Sequence, residues 1–249
     1  MNFAYLDTLK SVLDQHRPLP AEVVTNLHQN MVLHWTYNSN AIEGNTLTLI
    51  ETKVALEGVT VGGKTLREHF EVINHREAIF FMEGLAAKNT SLTEWDIKSI
   101  HGLILKNVDT ANAGRYRRVN VLIQGAMHRP VEALRVQEEM ERFILQLTSQ
   151  NSIHPVERAA RLHCDFVKIH PFVDGNGRTA RLLMNLELLK SGFPAAVFPV
   201  GRRLEYYQAL DAAHCTDDYS AFLKLVSEVV EEAFDPFWWA LGLTKPEPS

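Results

Sequence analysis

The chain has 249 residues, 46% of them hydrophobic, which is enough to bury a real core in one large domain or two small ones and too apolar for a disordered or fibrous protein. With 30 acidic residues against 25 basic ones, the net charge is −5 and the pI about 6.1, so no overall basic field favours nucleic acid or an anionic membrane. Cys164 and Cys215 lie far apart, without the spacing of a zinc site or a disulfide frame. The N-terminal MNFAYLDTLKSVLDQHRPLP lacks the apolar core of a signal peptide, and no apolar run approaches membrane-spanning length. The expectation is a cytoplasmic protein in a reducing compartment.

After an N-terminal arm punctuated by Pro18 and Pro20, helical periodicity dominates. Val24, Leu27, Met31 and Trp35 step by three and four, which predicts a helix with one buried face. In TLTLIETKVALEG, Leu49, Thr52, Lys53 and Leu56 keep helical spacing up to a glycine stop at Gly58. The next stretch, GVTVGGKT at 58–65, fits the phosphate-loop pattern GxxxxGK(S/T). That loop works only when a buried strand delivers it, and here a helix precedes it, so the sequence predicts a glycine-rich turn between helices. Ile97, Ile100 and Ile104 mark another helix. RVNVLIQGAMHRP at 118–130 alternates β-rich residues around a glycine and closes on a proline, predicting one short hairpin. Helical stripes return at Val136, Met140, Phe143 and Leu147, at Ala159, Leu162, Phe166 and Ile169, and at Phe222, Leu225 and Val229. The polar tail KPEPS follows. The expectation is one compact, mainly α unit with a small β flap and core-facing stripes.

The chemistry concentrates in IHPFVDGNGRTARLLMNLELL, residues 169–189. Pro171 must end the first helix at His170 and leave the imidazole at a helix exit. A second helix begins near Gly175 to Gly177, where two glycines around Asn176 let the backbone approach a ligand and the unpaired N–H groups of the first turn form an anion site. Arg178 and Arg181 are three residues apart and can fork onto phosphate oxygens. Two cations at a helix N-terminus oppose its dipole, a placement that costs stability unless an anion is bound. Asp174 supplies a carboxylate suited to a magnesium ion bridging those phosphates. A histidine before a proline, or an Asp-Gly-Asn-Gly turn, is ordinary alone. Their combination within a dozen residues points to a phosphate-handling site.

HPFVDGNGRTAR resembles, without a mismatch, the HPFx(D/E)GNGRxxR signature of the Fic (Fido) family of nucleotidyl transferases. SNAIEGNTLTLIET, residues 39–52, is similar to the inhibitory-helix motif (S/T)xxxE(G/N) of one class of that family. GRYRRVNVLIQGAMHRP resembles its flap, and LEYYQALDAAHCTDDYSAFLKLV its later helices, so the similarity runs over roughly residues 20–230. His214 stands where relatives have Asn, which touches the adenine pocket. The resemblance implies a Fic/Fido helical bundle with a β-hairpin flap, divided into an N-terminal helical region 1–91, a Fic core 92–227 and a C-terminal helix and tail 228–249.

It also implies AMP transfer from ATP to a Ser, Thr or Tyr hydroxyl of a target protein. His170 would be the base and Asp174 the magnesium ligand. Gly175, Asn176, Gly177, Arg178 and Arg181 would hold the phosphates, and Tyr206 or Tyr207 would pack near the adenine. Ser39 and Glu43 would be inhibitory, with Glu43 pairing with Arg181. Phe172 would anchor the loop, and the flap would pair with an extended target segment. The partners implied are ATP and that target, without nucleic acid or membrane, and a homodimer is compatible with it. Removal of AMP, transfer of another nucleotide or of phosphocholine, and a non-enzymatic regulator are the rival readings. The intact His170 and the lack of a basic stripe argue against the last.

Overall fold

The computed structural model describes residues 3–149 and 152–248; Ser249, the end of the polar tail, and the first two residues lie outside them. The order is α1 (Ala4–Asp14), α2 (Ala21–Ile42), α3 (Leu49–Leu56), α4 (Leu66–Lys88), α5 (Glu94–Ile104), α6 (Val136–Ser149), α7 (Pro155–Ile169), α8 (Asn176–Lys190), α9 (Arg203–Thr216), α10 (Ser220–Glu232) and α11 (Asp235–Leu241). From Asn176 to Leu188, α8 is buried at every position except Gly177 and Glu187. A helix covered all round needs neighbours all round. Joined to it by the loop 170–175, α7 runs along one side, while α4, α5 and α2 pack on the others and α10 backs α7. Leu9, Trp35, Ile79, Phe166, Leu183 and Phe222 belong to one continuous core and are all but sealed from solvent. That core draws on residues from α1 to α11, Phe234 and Trp238 included.

The predicted helices form, and two expectations need correction. The stripe on α2 enters the core only from Val32 onward. Upstream, Val24 is 47% exposed and, with Leu27 and Met31, lines an open cavity of about 930 Å³ towards Phe193 and Phe237. The hairpin over 118–130 makes no strand ladder. Gly125 turns the chain with φ +82°, yet side chains take the groups a ladder would use. Buried Arg117 donates to the Val119 carbonyl at 3.0 Å and to the Val131 carbonyl. The Asp211 carboxylate accepts the N–H groups of Met127 at 3.0 Å and His128 at 3.1 Å.

GVTVGGKT links α3 to α4, with a helix before it as expected. Lys64 donates to the Thr46 carbonyl at 2.5 Å. Thr65 caps α4 in a reciprocal box with Glu68, whose carboxyl is held down to about 2 by hydrogen bonds from the Thr46 hydroxyl and the Thr65 backbone. The helix N-terminus that a phosphate would need is closed by the protein's own carboxylate.

Candidate active site

Barred from the helical conformation by Pro171, His170 takes the left-handed one, φ 54° and ψ 59°, while its N–H still bonds the Phe166 carbonyl at 3.0 Å. A non-glycine residue there is strained and persists only if its surroundings over-determine it. Arg117 supplies part of that hold: its Nε donates to the His170 carbonyl at 2.8 Å and its backbone N–H to the Pro171 carbonyl at 2.9 Å. Phe172 supplies another part, fully buried and stacked on the His101 ring at 3.5 Å with 2° between the planes. Asn176 closes the loop by accepting the Phe172 N–H and donating to the Phe172 carbonyl, both at 2.9 Å. His101 also donates from Nε2 to the Asp174 carbonyl and accepts the Gly114 N–H at Nδ1, each at 2.9 Å, which fixes it as a neutral ring with its proton on Nε2. Burial holds it down to about 4.

The His170 imidazole is partly exposed. Burial, with a smaller push from Arg117, lowers it to about 4, against the opposing pull of Glu43 and Asp174. It is therefore unprotonated at neutral pH. Its buried Nδ1 has no hydrogen-bond partner among the described residues.

The first turn of α8 leaves the N–H groups of Asn176, Gly177 and Arg178 without a carbonyl partner among the described residues, as a helix start must. Two almost fully buried arginines flank this turn. Arg178 is loosely held: its Nε has no partner, and its contacts are 3.4 Å to Asp174 and 3.7 Å to Glu71. Arg181 is held firmly, Nε to the Ser39 hydroxyl at 2.9 Å, one Nη to the Tyr206 hydroxyl at 3.1 Å, the other to the Ser39 carbonyl at 2.8 Å and the Glu43 carboxylate at 2.7 Å. Burial works against its charge, but Tyr206 and Glu43 outweigh burial and raise its pKa. Glu43 itself caps the C-terminus of α2, where the helix dipole disfavours an acid. Its carboxylate lies against Gly177 so closely that a Cβ there would collide with it. The anion beside the nest is the protein's own.

Asp174 is 45% exposed at its side chain and is approached by Arg67 at 3.2 Å and by Arg178. Among the described residues no cluster of three or more His, Cys, Asp or Glu could hold a metal unaided. One open carboxylate beside an anion nest nevertheless fits magnesium, which takes one or two carboxylates and completes its shell with phosphate oxygens and water.

The Fic/DOC family model matches residues 91–188. The chain is 38% identical over 212 residues to protein adenylyltransferase fic-1 of Caenorhabditis elegans, covering 83% of this chain and 41% of that protein. It is 37% identical over 207 residues to protein adenylyltransferase Fic of Drosophila grimshawi, covering 82% and 42%. The solved structure of Fic-1 residues 134–508 from C. elegans superposes with a TM-score of 0.86 at 34% identity, covering 96% of this chain and 72% of that one. The chain belongs to the Fic/DOC family. It spans about two fifths of the length of the curated relatives it matches. A Fic domain containing signaling protein from Bacteroides thetaiotaomicron shares the fold over its whole length, with a TM-score of 0.87 at 28% identity, covering 98% of this chain.

The structure thus gathers His170, Asp174, the 175–177 turn, both signature arginines, Ser39 and Glu43 of this Fic protein into one site. Tyr206 has a different task from the one expected. It is 1% exposed, and its hydroxyl sits between Arg181 and His163, so it orients the guanidinium from below and cannot lie on an adenine. Tyr207 is 39% exposed, with its hydroxyl on the Ile42 carbonyl at the end of α2, and keeps the open position. His214 is buried, donates from Nε2 to the Cys164 carbonyl at 2.9 Å, and packs on His128 of the flap. Sequence reasoning missed Arg117 and His101. The second was legible, since His101 shares the apolar face of Ile97, Ile100 and Ile104. Nothing in GRYRR tells which arginine is buried.

Proposed function

We propose that this protein transfers AMP from ATP to a hydroxyl of a target protein, releasing pyrophosphate, and that Glu43 holds it in a resting state. The observation that carries the reading is that the loop 170–175 and the first turn of α8 join an unprotonated, partly exposed imidazole to an N–H nest flanked by two buried arginines. His170 would take the proton of the attacking hydroxyl as its oxygen bonds the α-phosphorus and the bond to the leaving pyrophosphate breaks. Such base catalysis typically contributes about 10²–10⁴ in rate. The N–H groups of Asn176 and Gly177 would receive the developing charge on the α-phosphate, a preorganised arrangement that usually contributes most. Arg178, loosely held at rest, and Arg181, once released by Glu43, would bind the departing phosphates. Asp174 would hold a magnesium ion, whose charge offsets that of the phosphates. Tyr207 is the candidate for the adenine. We place the reaction in the cytoplasm, where ATP is abundant and the unpaired Cys164 and Cys215 stay reduced.

The test is to incubate the Glu43→Gly protein with cell lysate and ATP labelled at the α-phosphate. Label bound covalently to a protein band is the expected result. No label on any band, the enzyme included, would overturn the reading.

A further inference from the structure

Most Lys and Arg side chains outside the catalytic loop answer a carboxylate, as Lys10 does Asp14, Arg158 does Glu187 and Arg202 does Glu205 and Glu228. Arg115, Arg118 and Arg129 do not. All three are exposed, none is in an ion pair among the described residues, and all lie on the segment that frames the active site. Between the first two sits buried Arg117, whose guanidinium binds the carbonyls of Val119, Val131 and His170 at once. One side chain therefore ties both limbs of the flap to the catalytic residue, and each exposed arginine is within two residues of it or of a carbonyl it holds. Among the described residues no carboxylate forms an ion pair with any of the three. Asp211 is engaged by the Met127 and His128 N–H groups, Asp217 by Lys168, and Glu132 is a single exposed acid without a cation. On a chain of net charge −5, these three like charges gather on one short segment with no ion-pair partner among the described residues.

The same segment is open in two other respects. From Asn120 to Leu122 the backbone makes no hydrogen bond among the described residues, and Val119, Leu122 and Met127 are 59%, 81% and 84% exposed. A backbone stretch without internal partners, with apolar side chains beside it, can pair with an extended chain.

We propose that the flap selects its target by charge: it receives an extended acidic stretch, whose carboxylates around the modified hydroxyl lie opposite Arg115, Arg118 and Arg129. The proposal rests on the reading that this site transfers AMP to a protein hydroxyl. Exposed ion pairs are weak singly, so the selection is cumulative, about tenfold for three pairs, and it acts on encounter and orientation more than on the chemical step.

The experiment uses the Glu43→Gly protein, ATP labelled at the α-phosphate and two peptides with one threonine in the same frame, flanked either by Asp and Glu or by Lys and Arg. The acid-flanked peptide should have the higher kcat/KM by about tenfold, the advantage should shrink as salt shortens the Debye length, and Arg115→Glu/Arg118→Glu/Arg129→Glu should reverse it. That triple variant should bind ATP as before. Equal kcat/KM for the two peptides overturns the charge proposal while leaving AMP transfer standing. Peptide binding without ATP, followed by fluorescence anisotropy, decides the matter independently of transfer. Tighter binding of the acidic peptide that is lost in the triple variant supports it. Equal binding, or a single-stranded oligonucleotide of the same charge binding more tightly than the peptide, overturns it. Absence of label on every peptide and on the enzyme would count against AMP transfer alone.

Discussion

Replacing Glu43 with Gly should release the enzyme. Arg181 is 2% exposed, and its only carboxylate among the described residues is Glu43 at 2.7 Å. A charge-assisted hydrogen bond of this kind contributes about 1.5–3 kcal/mol, so an ATP molecule seeking the same guanidinium for its terminal phosphate meets a handicap of roughly ten- to a hundredfold. The fold loses that bond's contribution and little else. Removing a carboxylate from the α2 C-terminus relieves about 0.3–1 kcal/mol of dipole repulsion, and a glycine there costs about 0.5–1 kcal/mol in chain entropy, so the two nearly cancel. Arg181 keeps the Ser39 hydroxyl, the Ser39 carbonyl and Tyr206 as partners, so it is not left bare. The assay is the initial rate of AMP transfer at saturating ATP with magnesium, beside the urea midpoint of each protein. A rise of about ten- to a hundredfold is expected, with the protein destabilised by no more than the bond's about 1.5–3 kcal/mol, and Arg181→Ala should abolish the rise in the Glu43→Gly background. Equal rates for the parent and Glu43→Gly would refute the reasoning and leave Glu43 as a helix cap.

Lys64→Ala should leave nucleotide affinity unchanged within about twofold in a fluorescent ATP titration, because a turn lysine on the Thr46 carbonyl is no phosphate ligand; a large loss would revive the phosphate loop. Arg117→Lys should lower transfer to protein by at least about tenfold while ATP affinity holds, since one ammonium cannot serve the carbonyls of His170, Val119 and Val131 together. Unchanged transfer would deny Arg117 its positioning role. Stability should fall in mild acid. Burial lowers His101, His170 and His214 to about 4 and His75 and His163 well below their ordinary value of 6.5. Below pH 6.5 the unfolded chain then binds protons that the fold refuses, so this stability is complete above that pH and is lost as pH falls towards 4. Each group adds up to about 1.4 kcal/mol per pH unit to the slope. A urea midpoint that stays flat from pH 7 to pH 5 would contradict this.

How far the sequence reveals the molecule depends on how local the cause is. Pro171 ends α7, and Gly175 starts α8 with φ +79°. Both are rules about adjacent residues, and both hold. Thr48 with Glu51 and Thr65 with Glu68 close capping boxes that are likewise written in short spacing. The flap fails that test, because alternation of β-rich residues says nothing of Arg117 and Asp211, the groups that take its backbone partners. Tyr206 fails for a related reason. Its neighbour Tyr207 is chemically identical, and only the packing of α9 on α7 decides which hydroxyl goes under Arg181.

The most direct test of the central claim is to follow the two ends of ATP separately. Glu43→Gly protein and a responsive target would be incubated in parallel with ATP labelled at the α-phosphate and at the γ-phosphate, with Glu43→Gly/His170→Ala as the control and intact mass as a second readout. The account predicts α-label on the target with a mass gain of one AMP, γ-label released as pyrophosphate, and neither in the control although it still binds ATP. Label from the γ-phosphate on the target, or undiminished transfer without His170, would contradict it.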